Sequence, residues 1–104
     1  MLSKAEEIIL LAILKLKGNA YGISIRNLIK EETGTEWSFA QIYDPLGKLN
    51  QKGFVQKVKG GTTWERGGRP KCLYQITPSG KEVLANLRKI QEAIWEKVPK
   101  KALT

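Results

Sequence analysis

The stretch WSFAQIYDPLGKLNQKGF, Trp37 to Phe54, decides the fold. Ser38 and Gln41 have the S-x-x-Q spacing of a capping box, and Trp37 and Ile42 occupy the positions of a hydrophobic staple. A helix therefore starts at Ser38. It runs to about Lys52 and stops at Gly53, with Ile42, Leu46 and Leu49 as an i, i+4, i+7 core stripe. Its opposite face presents Gln41, Asp44, Lys48 and Gln51.

Beyond Gly53 the chain changes character. FVQKVK, Phe54 to Lys59, mixes apolar and polar residues as a half-buried strand does, and KCLYQI, Lys71 to Ile76, reads as a second strand. Between them GGTTWERGGRPK, Gly60 to Lys71, holds four glycines, three cations and one acid. The pair reads as a hairpin with a long basic tip, its loop at about 60–70. Glycines there let the backbone lie against a surface.

Upstream, Ser3 and Glu6 form another capping-box pair, so a helix spans about Lys4 to Lys17 and stops at Gly18. Its residues Ile8 to Leu14 are apolar on almost every side, which requires burial all round. In so small a domain part of that cover is expected from a second subunit. Another helix fits about Tyr21 to Glu32, with Ile25, Leu28 and Ile29 inward and Gly34 ending it. Downstream, Thr77 is an N-cap with Pro78 at the first helical position. The last helix reaches about Lys97 and is closed by Pro99. Val83, Leu87, Ile90 and Ile94 step by 4, 3 and 4, a narrow coiled-coil-like seam. Two heptads are too short to associate alone, so this seam is expected to join a larger dimer interface. The order is helix, helix, helix, strand, loop, strand, helix. It predicts a single α+β, mostly helical domain over 1–104: a winged helix-turn-helix over about 4–76 and a C-terminal dimerisation helix over about 78–98.

Charge points the same way. The chain has 104 residues and a net charge of +8, but residues 45–81 hold eight Lys/Arg against the single acid Glu65. Residues 1–44 hold five against six, and residues 82–104 five against three. So localised a basic block implies an anionic polymer as partner, first of all double-stranded DNA. There is no histidine and one cysteine, Cys72. That removes His-based acid–base catalysis and the usual His/Cys metal sites, so no enzyme, cofactor or metal is expected. The glycines do not form a nucleotide-binding loop, because no G-x-x-x-x-G-K-[ST] occurs and the segment lies between strands. One cysteine excludes an intrachain disulfide and makes a reduced cytoplasmic setting the default. IILLAIL, Ile8 to Leu14, is too short to span a bilayer, and the acids Glu6 and Glu7 precede it where a signal peptide carries cations, so no membrane association is expected.

Three segments, LLAILKLKGNAYGISI, WSFAQIYDPLGKLNQKGFV and ERGGRPKCLYQITPSGKEVL, occur in the order found in short-form members of the PadR family of bacterial transcriptional regulators. The chain resembles that family over about residues 5–99. The resemblance implies a cytosolic homodimer that binds DNA, mostly as a repressor, and in some members releases it on binding a small aromatic acid or hydrophobic drug. Departures are visible. The family often has Tyr-Pro in the recognition helix, whereas YDP here puts proline one residue later, at Pro45, where it removes a backbone hydrogen bond and favours a kink. Cys72 and Leu73 stand where a basic residue and a tyrosine are usual, and Trp64 replaces a common wing proline.

On this reading Ser38 and Gln41 enter the major groove. Gln41 has two roles open to it, bonding adenine N6 and N7 or completing the capping box. Tyr43 flanks the core stripe; the resemblance suggests a phosphate contact through its hydroxyl, and half-buried packing is the alternative. Asp44 is expected to pair with Lys48 at i+4 or to accept from cytosine N4. Arg66, Arg69 and Lys71 suit a narrow minor groove or phosphates, and Lys57 and Lys59 share a strand face from which the flanking backbone is reachable. Trp95 lies one residue off the seam of Val83, Leu87, Ile90 and Ile94. With Ile8 or Leu11 it either borders an effector site, in keeping with drug-responsive relatives, or packs in the dimer interface. Cys72 alternates with Tyr74 and Ile76, as a packed residue or as a redox-sensitive thiol. The competing class is a winged-helix protein-interaction module with weak DNA binding, which Trp64 and Asp44 favour.

Overall fold

The computed structural model describes residues 1–64 and 70–104, with side chains described for residues 1–58 and 72–104. Its elements are α1 (Lys4–Leu16), α2 (Gly22–Thr33), α3 (Phe39–Gln51), β1 (Val55–Trp64), β2 (Pro70–Ile76) and α4 (Pro78–Trp95), followed by a short 3₁₀ turn, Lys100–Leu103. This is the mostly helical α+β winged helix-turn-helix that the sequence order implies.

The helix starts are those read from the sequence. Ser3 Oγ accepts from the Glu6 N–H at 3.1 Å while Glu6 Oε1 accepts from the Ser3 N–H at 2.7 Å. Thr77 Oγ1 accepts from the Gly80 N–H at 3.1 Å, with Pro78 as first helical residue. Each such pair satisfies donors that have no partner inside the helix. The ends also follow glycine: Gly34 and Gly53 take φ of 74° and 78°. At the end of α1 the left-handed turn begins one residue early, because Lys17 adopts φ 48° ahead of Gly18 at 88°.

The core gathers one face of every helix. Ile9, Leu10, Ala12 and Ile13 of α1 meet Ile25 and Ile29 of α2 and Ile42, Leu46 and Leu49 of α3, with Val55, Tyr74 and Leu84 closing the side toward the hairpin. Burial of α1 is not complete, however. Leu11 and Leu14 remain 47% and 40% exposed. Two acids are instead buried on α1, Glu6 and Glu7. Lys52 Nζ donates to Glu6 Oε2 at 2.7 Å, tying the end of α3 to the start of α1. Gln91 Nε2 donates to Glu7 Oε2 at 3.1 Å and so ties α4 to α1.

β1 and β2 form an antiparallel ribbon in which Val55 faces Ile76, Lys57 faces Tyr74 and Lys59 faces Cys72. The ladder resumes at Trp64 and Pro70 after a shift of register, so both strands run past the stretches whose patterning identifies them. The Tyr74 N–H donates to the Ala20 carbonyl at 2.8 Å and docks β2 on the α1–α2 connection. At the other end Thr77 clasps the hairpin base: its N–H donates to the Phe54 carbonyl at 3.0 Å and its hydroxyl to the Gly53 carbonyl at 2.6 Å.

The terminal helix departs from the body. Gly80 and Leu84 are its buried residues, and Val83 and Leu87 are half-buried. From Arg88 to Thr104 every residue is exposed, including Ile90 at 55%, Ile94 at 71% and Trp95 at 57%. The Cα radius of gyration is accordingly 15.4 Å, against about 13 Å for a compact chain of this length.

Candidate nucleic-acid interface

The site is built on α3. Ile42, Leu46 and Leu49 are almost wholly buried, which turns Ala40, Gln41, Asp44, Gly47, Lys48 and Gln51 to solvent. The helix continues through Pro45 from Phe39 to Gln51. Proline has no N–H for the Gln41 carbonyl, so the helix runs on with one backbone bond fewer.

The first turn of α3 is closed by its own cap. Ser38 Oγ accepts from the Gln41 N–H at 3.2 Å, and Gln41 Oε1 accepts from the Ser38 N–H at 2.8 Å. Of the two roles open to Gln41, the capping box is the one its side chain adopts here. Tyr43 is 42% exposed and lies across the start of α2, so close to Gly22 that a Cβ there would collide with its hydroxyl and Cζ. Among the described residues Asp44 and Lys48 form no ion pair, contrary to the i, i+4 expectation. Both side chains are exposed, where such a pair gains little over solvation.

Arg26 fixes the turn that delivers α3. Its Nε donates to the Trp37 carbonyl at 2.6 Å and its Nη2 to Glu36 Oε1 at 2.6 Å. The same guanidinium lies 4.8 Å from the centre of the Phe39 ring. Phe39 in turn stacks on Tyr43, ring centres 6.4 Å apart and planes 25° from parallel. Neither Arg26 nor Phe39 is among the residues that sequence patterning selects. Phe39 does carry a signal, because it stands at i−3 from Ile42 and i−7 from Leu46 and so continues the core stripe into the first turn. Arg26 carries none, because its acceptors lie ten and eleven residues away and only the fold brings them near.

On the hairpin, Lys57 is exposed on the ribbon face that also carries Val55 and Tyr74, one strand repeat out from the core. Cys72 is exposed as well, so it is not the packed residue its alternation with Tyr74 suggests; paired with Lys59, it lies past the reach of the core. Arg66 and Arg69 lie outside the described residues, as do the side chains of Lys59, Trp64 and Lys71.

The surfaces assigned to an effector or a dimer divide differently from the sequence reading. A groove of about 610 Å³ between α1 and α4 is lined by Glu7, Leu11, Leu14, Leu84, Leu87 and Gln91, among others. Ile8 and Leu11 line a smaller one of about 190 Å³ between α1 and α2. Within one chain Trp95 joins neither: it sits on an open surface with Lys89, Glu92, Ala93 and Glu96. No helix among the described residues is long and apolar enough to cross a membrane.

Comparison with known proteins agrees with this architecture. The negative transcriptional regulator PadR of Bacillus subtilis (strain 168) is 39% identical over 72 residues, which cover 65% of this chain and 37% of that protein. The chain thus matches little more than a third of that relative's length. Among solved structures, a PadR-like transcription factor from Bacteroides fragilis superposes with a TM-score of 0.75 at 22% identity, covering 89% of this chain and 84% of that one. A PadR-like transcriptional regulator from Bacillus cereus strain ATCC 14579 gives 0.71 at 20% identity, covering 89% and 85%. At these identities the two structures speak for the fold alone. The sequence profile of the family described as "Transcriptional regulator PadR-like family" matches residues 10–86, and with it the chain belongs to the PadR-like family of transcriptional regulators, whose members bind DNA and are not enzymes.

Proposed function

We propose that the protein is a homodimeric, sequence-specific repressor acting on a pseudo-palindromic operator. The observation that carries this reading is α3: anchored by three buried side chains, it leaves its whole polar face uncovered in a chain of a DNA-binding family. Lys48 and the Tyr43 hydroxyl are suited to phosphates beside the groove, and Ser38 and Gln41 head the helix that enters it. Lys57, Lys59, Arg66, Arg69 and Lys71 supply the cations of the wing, gripping the flanking backbone. Dimerisation is supported by α4, whose outer half exposes Ile90, Ile94 and Trp95, and by the exposed Leu11 and Leu14 of α1. A helix end of that composition needs cover. The groove between α1 and α4 falls within the size range of small-molecule sites and its leucines suit a hydrophobic or aromatic effector.

Fluorescence anisotropy tests the reading, with the duplex upstream of the protein's own gene and a scrambled duplex, each across a salt series. Affinity falls steeply with salt, the native duplex binds more tightly, and Arg69→Ala flattens the slope of log affinity against log salt by about one unit. Equal and salt-independent binding to both duplexes, persisting in a genome-wide selection of fragments, overturns it.

A further inference from the structure

We infer that Phe39 is a base-reading residue of α3 and that the group it reads is the C5-methyl of thymine. The inference rests on the DNA-binding reading above and adds to it a residue and a base.

The Ser38 hydroxyl oxygen and the Gln41 amide oxygen are already engaged in the cap. A bidentate contact to adenine needs the Gln41 amide oxygen as acceptor and its nitrogen as donor. That oxygen is occupied by the Ser38 N–H at 2.8 Å, and withdrawing it would strand one of the donors the helix cannot satisfy internally. Beside the cap, the helix start also presents apolar groups to solvent. Phe39, the first helical residue, is 49% exposed, and Ala40 beside it is exposed too.

The Phe39 ring is held without being buried. Arg26 lies 4.8 Å from its centre and Tyr43 stacks beside it. Arg26 is itself locked onto the Trp37 carbonyl and the Glu36 carboxylate. An aromatic group fixed in this way gives up little freedom on binding, which is the general advantage of preorganisation. In the major groove the partner for an apolar probe is the thymine methyl, and phenylalanine and alanine are among the side chains that contact it. The Arg26 charge is committed to Glu36 and to the ring, so its place is beneath Phe39 as a positioning residue.

The test separates the base from the backbone. Duplexes are enriched from a randomised library on the full-length protein, and each thymine of the enriched half-site is then replaced singly by deoxyuridine, which lacks only the methyl. At one or two positions affinity drops about fourfold, the worth of one buried methyl group. Phe39→Ala binds the thymine duplex more weakly and no longer distinguishes it from the deoxyuridine duplex at those positions. Phe39→Gln, a helix-compatible side chain whose end is polar, carries the comparison if Phe39→Ala melts early. Enriched sites without a recurring thymine, or a deoxyuridine penalty that is absent or survives in the Phe39 variants, overturn the inference while the DNA-binding reading stands. Failure to enrich any duplex overturns that reading and the inference with it.

Discussion

At the scale of single residues, Gly80 shows how a short motif encodes a tertiary contact. A Cβ at Gly80 would strike the Phe54 carbonyl oxygen and lie 2.7 Å from Ile76 Cγ1. The approach is that close because Thr77 draws the first turn of α4 onto the base of the hairpin through bonds to Gly53 and Phe54. Gly80→Ala is therefore expected to cost about 2–3 kcal/mol, since a backbone oxygen cannot yield as a side-chain end does. Thermal unfolding checks it, the midpoint falling by roughly 10 °C. Gly47→Ala is the control: it too is helical but has no neighbour within 4 Å, and it should leave the midpoint unchanged or raise it. The Thr77 cap and Pro78 are legible in the sequence because capping is local. Gly80 and Arg26 are not, because what constrains them lies in other elements.

At the scale of elements, Glu6 does two jobs, and sequence spacing reveals one. Its capping role follows from the distance to Ser3. Its ion pair with Lys52 spans the fold and joins α1 to α3, the helix proposed to meet DNA. Burial alone would raise the pKa of the Glu6 carboxyl, but bonds from Lys52 and from the Ser3 N–H and hydroxyl outweigh it, so the value lies below the ordinary 4.5. A carboxyl whose pKa is depressed by folding adds stability that is complete above its unfolded value and lost as pH falls through the folded one. Glu6→Gln keeps an acceptor for Ser3 but loses the charge. It should lower stability at neutral pH by about 1.5–3 kcal/mol in denaturant titrations. The deficit should shrink below about pH 4.5, as the wild-type carboxyl protonates too. A deficit independent of pH would assign the effect to packing. The helices themselves were legible to within a residue or so at each end, since caps and glycines mark them. β1 runs further than its patterning because the ladder resumes at Trp64, paired with Pro70, beyond the stretch that the patterning identifies.

At the scale of the whole molecule, the terminal helix carries two overlapping stripes, and the sequence cannot say which belongs to which neighbour. Val83, Leu87, Ile90 and Ile94 step by 4, 3 and 4, and so do Gly80, Leu84, Leu87 and Gln91, one face round. The second stripe meets the chain's own body, through Leu84 in the core and Gln91 on Glu7. The first is left half-open, its outer members Ile90 and Ile94 exposed together with Trp95. The two faces share Leu87, so a partner covering the outer stripe also abuts the groove between α1 and α4. Covering a large apolar side chain is worth about 1.5–3 kcal/mol, and Ile90, Ile94 and Trp95 of two protomers offer six such groups. Ile90→Asp with Ile94→Asp places charge on that surface without touching the core of one protomer. Light scattering after size exclusion should give twice the 11.7 kDa chain mass for the wild type at tens of micromolar and the single mass for the variant. The wild-type unfolding midpoint should fall on dilution, as mass action requires of a dimer, while the variant's midpoint should not move. DNA affinity provides the link to function: a monomer engages one half-site, so the variant should lose the large gain that two tethered half-sites give. A wild type that elutes as a single chain across this range, with a midpoint independent of concentration, would assign the exposed stripe to a different protein and the half-site symmetry would go with it.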